Sequence, residues 1–391
     1  MNQQFDATFF KDPFPTFAKL RQHAPVQKVN VYGQEGWLVT RFEDVLTVLK
    51  DPRFVLAVED QRPPEGSIFR VFPQLLNTDR LDHRRLRKMV SKGFTPRFIE
   101  GLRPGVRRRA HELIDEIEAS GGEFDSIGAF AFPLPIDVIS DMLGLPVSDR
   151  GRLRAWSEAL FDDLDNFTLT SKHPEEMVEF MDYLKGLFEY KRTNPGDDLI
   201  SVLVRAEEGE DTLSEEELIG MVTMLIFAGH ETTTNLLGNG MLALLTHPAQ
   251  LAKLRAQPEL MPSAVEELLR LETPVTMAAP RYAAEDAELS GQLIRAGEMV
   301  VPAPASANRD EAQFTDPNDL NIARQLNKHL AFGQGVHYCL GAPLARLEAQ
   351  EALTALLERF PKLTLNTDLE PLEWRANTSL RGLRALPLKY G

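Results

Sequence analysis

Phe332-Gly333-Gln334-Gly335-Val336-His337-Tyr338-Cys339-Leu340-Gly341 is the stretch on which the reading of this chain turns. It holds the only cysteine in 391 residues and is followed by Ala342-Pro343 and a helical run to Phe360. Gly333, Gly335 and Gly341 let the backbone turn tightly around one thiol and approach something closely. The N-terminus of the following helix favours the thiolate over the thiol. A lone cysteine is often just a small buried hydrophobe. A zinc site would need further ligands beside His337 and Cys339, and the segment offers no convincing ones. A single thiolate beside a glycine-lined loop instead suits an axial ligand to haem iron.

Composition narrows the frame. Hydrophobic residues make up 43% and charged residues 26% of the chain, as in an ordinary soluble globular protein able to bury a large core. One thiol excludes an intramolecular disulfide, a multi-cysteine zinc site and a cysteine-held cluster. A net charge of -15 argues against nucleic acid as the main partner. The start, with Asp6, Lys11 and Asp12, lacks the pattern of a signal peptide, and no apolar run is long enough to span a membrane. A cytoplasmic protein is expected. With no repeat or Gly/Ser linker to divide it, residues 1–391 read as a single domain.

Periodicity predicts a mainly α protein with a minor β-sheet region. Apolar residues recur at helical spacing over Arg41 to Lys50, Pro96 to Ala119, Pro133 to Leu143, Pro174 to Arg192 and Pro262 to Leu271. Several of these carry a proline near the start, where its missing N–H does no harm. Gly36 to Thr40 reads as a strand, and Ala287 to Pro302 as a small meander broken at Ser290-Gly291 and Ala296-Gly297. The most informative helix begins at Ser214, where Ser214 and Glu217 form a capping-box pattern. No proline intervenes before Thr246, which allows a helix of about 50 Å. Between Met221 and Ala228 only Thr223 is polar, so this helix belongs in the middle of the protein. Gly229, His230, Glu231, Thr232, Thr233 and Thr234 then break the pattern, and such breaks often mark functional sites.

Together these motifs resemble the cytochrome P450 superfamily of haem-thiolate monooxygenases. Phe332, Gly333, Gly335, His337, Cys339 and Gly341 match its cysteine-loop signature, F-G-x-G-x-H-x-C-x-G. Ala228-Gly229-His230-Glu231-Thr232-Thr233 is similar to its oxygen-binding motif, and Glu267-Leu268-Leu269-Arg270 to its E-x-x-R element. The order and spacing are the family's, and the likeness covers nearly the whole chain. It implies the cytochrome P450 fold, haem b, Cys339 as the metal ligand, and the Cys339 loop with Ala228 and Gly229 as cofactor-binding elements. A thiolate ligand pushes electron density onto iron and favours O–O cleavage. Glu231 and Thr232 would supply an acid and an alcohol to deliver protons, with the Thr232 hydroxyl able to bond back to the Ala228 carbonyl and open the helix locally.

The resemblance assigns further roles. His83 and Arg87, one helical turn apart, match the propionate-binding H-x-x-x-R, and Arg281 and His337 fit the same task. Spacing alone lets Arg270 pair with Glu266 or Glu267; the family frame chooses Glu267, with Arg324 as third member of a structural charge cluster. Leu320 and Asn321 stand where the family usually has Phe and Asp. Met224, Phe227 and Ala228, with Met277 and Ala278 opposite, should line the substrate pocket, and Leu56 to Leu76, with Phe69 and Phe72, should form a lid. The substrate class is then a lipophilic small molecule: polyketide or macrolide, terpenoid, steroid or fatty acid. No fused flavin or iron–sulfur domain is expected, so a separate ferredoxin or flavodoxin-type donor is implied. Arg84, Arg85, Lys88 and Arg346 form a candidate docking patch on a monomer. Two other readings share some of these features: a peroxide-driven or isomerising haem-thiolate enzyme, and a non-enzymatic haem sensor or carrier.

Overall fold

Ser214 caps the central helix as its sequence predicts. In the computed structural model, which describes residues 5–31, 34–56, 75–165, 173–205, 213–366 and 371–391, the Ser214 hydroxyl accepts from the Glu217 amide at 3.1 Å. The Glu217 carboxylate accepts from the Ser214 amide at 2.9 Å. Two otherwise orphaned donors are thereby satisfied at the start of a helix that runs from Glu215 to Thr246 without interruption. Its apolar character on nearly every face is explained by its neighbours. It packs against the helices Pro133–Leu143 and Ala342–Arg359, and the latter packs in turn against Pro96–Ser120.

The other expected helices form with shifts of a residue or so at their ends: Phe42–Lys50, Pro174–Thr193 and Met261–Leu271. The architecture is mainly helical, with small sheets. The strand expected near Gly36 runs from Gln34 to Val39 and is antiparallel to Val26–Val31. The meander is only partly realised. Ala287–Leu289 and Gln292–Ile294 form a hairpin, and Ser290 and Gly291 take φ of 45° and 78° at its turn. Met299–Pro302 does not continue that hairpin. After a turn at Gly297 it inserts into the five-stranded sheet, parallel to Gln34–Val39 and antiparallel to Arg281–Ala283. Val300 and Val301, fully buried, explain why this strand seeks a covered position.

Among the described residues burial sorts into three apolar clusters. The largest lies under the helices and includes Leu86, Ile114, Leu218, Ile226, Leu268 and Leu353. A second packs Phe42, Val45 and Leu49 against Phe314 and Leu330. A third joins Phe9 and Phe17 to Leu38 and Val301 of the sheet. No helix among the described residues is long and apolar enough to cross a membrane.

Candidate active site

The cysteine loop is built by two left-handed glycines and closed by one backbone hydrogen bond. Gly333 and Gly335 have φ of 66° and 75°, a region costing a non-glycine residue about 1–2 kcal/mol. At Gly335 a Cβ would also lie 2.7 Å from the Leu49 carbonyl oxygen, so the loop is seated directly on the end of the helix Phe42–Lys50. The Cys339 amide donates to the Phe332 carbonyl at 2.9 Å. The helix Ala342–Arg359 starts immediately afterwards, and the Gly341 and Ala342 amides point at the thiol.

Those amides pull the Cys339 pKa down, as do Arg87 and Arg346, in the direction expected from sequence. Burial outweighs them and pushes the thiol above its ordinary value. The helix N-terminus therefore does not by itself generate a thiolate here. Cys339 as a residue is nonetheless exposed to solvent. Binding a metal would remove the proton outright. Among the described residues no group of three His, Cys, Asp or Glu side chains could hold a metal ion. One protein ligand suits a metal whose other ligands belong to a cofactor.

Beside the loop lies a cradle for anions. His83 is buried, and its ring centroid is 4.2 Å from that of His337. The His337 Nε2 lies 2.8 Å from Asp79 Oδ1, and Arg87 donates to the Tyr338 carbonyl at 2.7 Å. Neither His83 Nε2 nor Arg281 Nε, both buried, has a hydrogen-bond partner among the described residues. Burial pushes the pKa values of Arg281 and Arg87 down and, with help from His337 and Arg87, that of His83 down to about 4. The two arginines held down in this way lack sufficient counter-charge, His83 is left a neutral ring with a donor to spare, and the two propionates of a haem are groups that would complete the site.

The supporting charge cluster is fully assembled. Arg270 donates to both Glu267 oxygens at 2.8 Å, with both side chains 0% exposed. Arg324 Nε reaches both of the same oxygens at 3.0 Å, and Asn327 adds a further bond. Glu266, the competing partner, is instead clamped by Arg346 and His329, whose bonds hold its pKa down to about 2 despite burial. The departure at Leu320 and Asn321 is harmless because position 321 contributes its backbone amide to Glu267 Oε1, at 3.0 Å. Any residue but proline can do that.

On the central helix, burial is interrupted along one face. Met224 and Phe227 are half-buried, Ala228 is exposed, and Gly229 and Thr232 are half-buried, whereas Leu225, Ile226, His230 and Glu231 are buried. Met224, Phe227, Phe332 and Leu340 all pack against the largest apolar cluster. The Thr232 hydroxyl donates to the Ala228 carbonyl at 2.9 Å, and Thr233 does the same to Gly229 at 3.3 Å. The helix nevertheless remains continuous, so these bonds are added to its ladder without opening it. Glu231 turns elsewhere: its Oε1 is 3.7 Å from an Arg375 nitrogen.

Two expectations need correction, and a third lies outside what the structure describes. Arg85 is paired with Glu217 and Arg346 with Glu266, so of the four basic residues grouped as a docking patch only Arg84 and Lys88 are exposed. Met277 is buried in the third apolar cluster, among Phe9, Phe17 and Met299, and serves core packing; Ala278 beside it is half-buried. Most of the expected lid, with Phe69 and Phe72, lies outside the described residues. Sequence reading missed Asp79, Tyr338 and Arg375. No motif spacing could have revealed partners so far apart along the chain.

A mainly helical fold with a lone thiol at a helix start, a cationic cradle beside it and an uncovered face on its central helix defines the haem-thiolate class of protein. The cytochrome P450 family profile matches residues 9–259 and 255–380. Cytochrome P450 107B1 of Saccharopolyspora erythraea is 44% identical over 401 residues, covering 99% of this chain and 97% of that protein. The vitamin D(3) 25-hydroxylase of Pseudonocardia autotrophica is 41% identical over 393 residues, covering 99% and 96%. The structure of the Bacillus subtilis bacillaene polyketide synthase cytochrome P450 PksS superposes with a TM-score of 0.91, at 41% identity and 100% coverage of both chains. The chain belongs to the cytochrome P450 family. It is a haem b enzyme, a monooxygenase.

Proposed function

We propose that this enzyme hydroxylates a lipophilic small molecule of polyketide or macrolide, terpenoid, steroid or fatty-acid type, working as one cytoplasmic, monomeric haem domain. Cys339 holds the iron. His83, Arg87, Arg281 and His337 hold the propionates, a role supported by the buried His83 Nε2 and Arg281 Nε, which have no hydrogen-bond partner among the described residues. Phe332, Gly335 and Gly341 keep the loop backbone close to the cofactor. When bound, haem supplies the reductive activation of dioxygen and the transfer of one oxygen atom to substrate.

The chain's own residues govern access and protons. Ala228 and Gly229 present almost no side chain, leaving room for a diatomic ligand beside the helix. Met224, Phe227 and Ala278 give that space apolar walls, which favours a lipophilic substrate and excludes bulk water. Thr232 Oγ1, committed as donor to Ala228, offers its lone pairs to an incoming proton donor. Glu231 is the acid that restores that proton from solvent. The observation that carries this reading is the uncovered Met224–Ala228–Thr232 stripe on an otherwise buried helix. The named activities of the relatives, on vitamin D(3) and within polyketide assembly, support a bulky apolar substrate.

A ferredoxin or flavodoxin-type donor supplies the electrons. Thr232→Ala tests the relay: product formed per reduced nicotinamide consumed should fall several-fold, with hydrogen peroxide appearing instead. Coupled turnover with dioxygen surviving that change would overturn the assignment.

A further inference from the structure

The acid of the relay faces away from the substrate side of the central helix. Glu231, Asn235 and Asn239 recur at four-residue spacing and are all buried, so they form one internal face of the helix. That face is covered by a hairpin near the C-terminus. Trp374 pairs with Leu383, and the Arg375 amide donates to the Gly382 carbonyl at 3.0 Å. Asn239 donates to the Arg381 carbonyl at 2.9 Å. Gly382 sits so tightly that a Cβ there would lie 1.8 Å from Asn235 Oδ1. On its other side the hairpin is fastened to residues 274–276 by the Val275–Leu380 bridge and the Thr276-to-Ser379 bond.

This rigid mounting aims one side chain inward. Arg375 places a guanidinium nitrogen 3.7 Å from Glu231 Oε1, with 21% of its own side chain exposed against 2% for Glu231. The exposed part lines a surface crevice shared with Phe9, Phe10, Pro13, Thr276 and Asn377. Arg375 also acts on His230, whose pKa it helps to lower, so its charge is felt along the whole turn. A separation of 3.7 Å is that of an ion pair, longer than a hydrogen bond, and holds the carboxylate in place by charge.

We propose that Arg375 is the positioning residue for Glu231, and that protons reach the Glu231 carboxyl from this crevice, between the N-terminal segment and the C-terminal hairpin, not from the substrate side. The inference rests on Glu231 being the relay acid. The proton passes from water in the crevice to a Glu231 carboxylate oxygen and onward towards Thr232 Oγ1, and the guanidinium stays protonated throughout. The substrate face can then remain dry while protons arrive through the opposite wall.

Arg375→Met, Arg375→Lys and Glu231→Gln test this in the haem-loaded protein, each first shown to give the same reduced carbon-monoxide spectrum as wild type. The carboxyl infrared band lost in Glu231→Gln identifies Glu231. In Arg375→Met the pH at which that band appears should move up by roughly 1–3 units, the effect of removing an opposite charge at this distance. Arg375→Lys should restore most of it. Turnover is followed with myristic acid, or with testosterone where myristate gives no product, using NADH, a ferredoxin reductase and an iron–sulfur ferredoxin. Coupling should fall several-fold in Arg375→Met, recover in Arg375→Lys, and lose most of its solvent deuterium isotope effect in Glu231→Gln. An unmoved band and unchanged coupling in Arg375→Met, with Glu231→Gln uncoupled, would overturn the role of Arg375 alone. Full coupling in Glu231→Gln would overturn the relay and this inference with it.

Discussion

Acid should destabilise this enzyme through His230 in a way a single substitution can remove. His230 is fully buried on the central helix, next to Glu231. Its Nδ1 lies 2.9 Å from the Ile226 carbonyl and must donate, so Nε2, 2.7 Å from the Ser157 hydroxyl, accepts. That is the neutral tautomer. Burial, with Arg375 adding to it, pushes the pKa from 6.5 down to about 4. The folded-state value is depressed, so the unfolded chain binds a proton first as pH falls. Stability contributed by the neutral ring is intact above about pH 6.5 and is lost progressively as pH falls towards 4. At pH 4.5 the loss comes to about 2.5 kcal/mol relative to pH 7. His230→Asn removes the titration; whatever it costs in packing and hydrogen bonds is the same at both pH values and cancels in the difference. Urea unfolding of both haem-loaded proteins at pH 7 and pH 4.5, followed by far-ultraviolet circular dichroism, measures it. Wild type should lose about 2.5 kcal/mol more than the variant between the two conditions. Equal losses would refute the argument that this ring is held neutral.

Other outcomes follow from the same geometry. Gly335→Ala must hold a left-handed φ with its Cβ against the Leu49 carbonyl; a cost of about 2–4 kcal/mol and faster haem loss to apomyoglobin are expected. Glu267→Gln leaves Arg270 charged and buried with a weaker partner, so it should cost about 3–5 kcal/mol in urea. Arg85→Gln, which breaks a half-exposed pair, should cost under about 1 kcal/mol in the same assay. Reversing the charges of the exposed Arg84 and Lys88 should slow reduction by an acidic ferredoxin at low salt, and the difference should vanish near 1 M salt as screening removes steering.

What could be read from the chain alone depended on whether the physics was local. The capping box at Ser214, the glycine turns around Cys339 and the hydroxyl bond from Thr232 to Ala228 involve residues within a turn or two of each other, and each forms as expected. The choice of Glu267 over Glu266 was not local. Both spacings suit Arg270, and the decision lies in Arg346 and His329 occupying Glu266 from another part of the chain. Half of the docking patch drops out for the same reason: Arg85 and Arg346 look solvated in sequence, and only tertiary packing brings Glu217 and Glu266 against them. Met299–Pro302 was assigned to the nearest hairpin because sequence offers no sign of a parallel partner in the N-terminal strands. The thiol's balance between burial and helix amides likewise depends on everything around it.

The most direct test of the central claim is the difference spectrum of the reduced, carbon-monoxide-bound protein, taken for wild type and for Cys339→His. Wild type should show the strongly red-shifted Soret band of thiolate-ligated haem, and the variant should lose it for the band of histidine-ligated haem. A histidine-type band in folded wild-type protein, or a red-shifted band that survives the loss of Cys339, would contradict the assignment of Cys339 as the iron ligand.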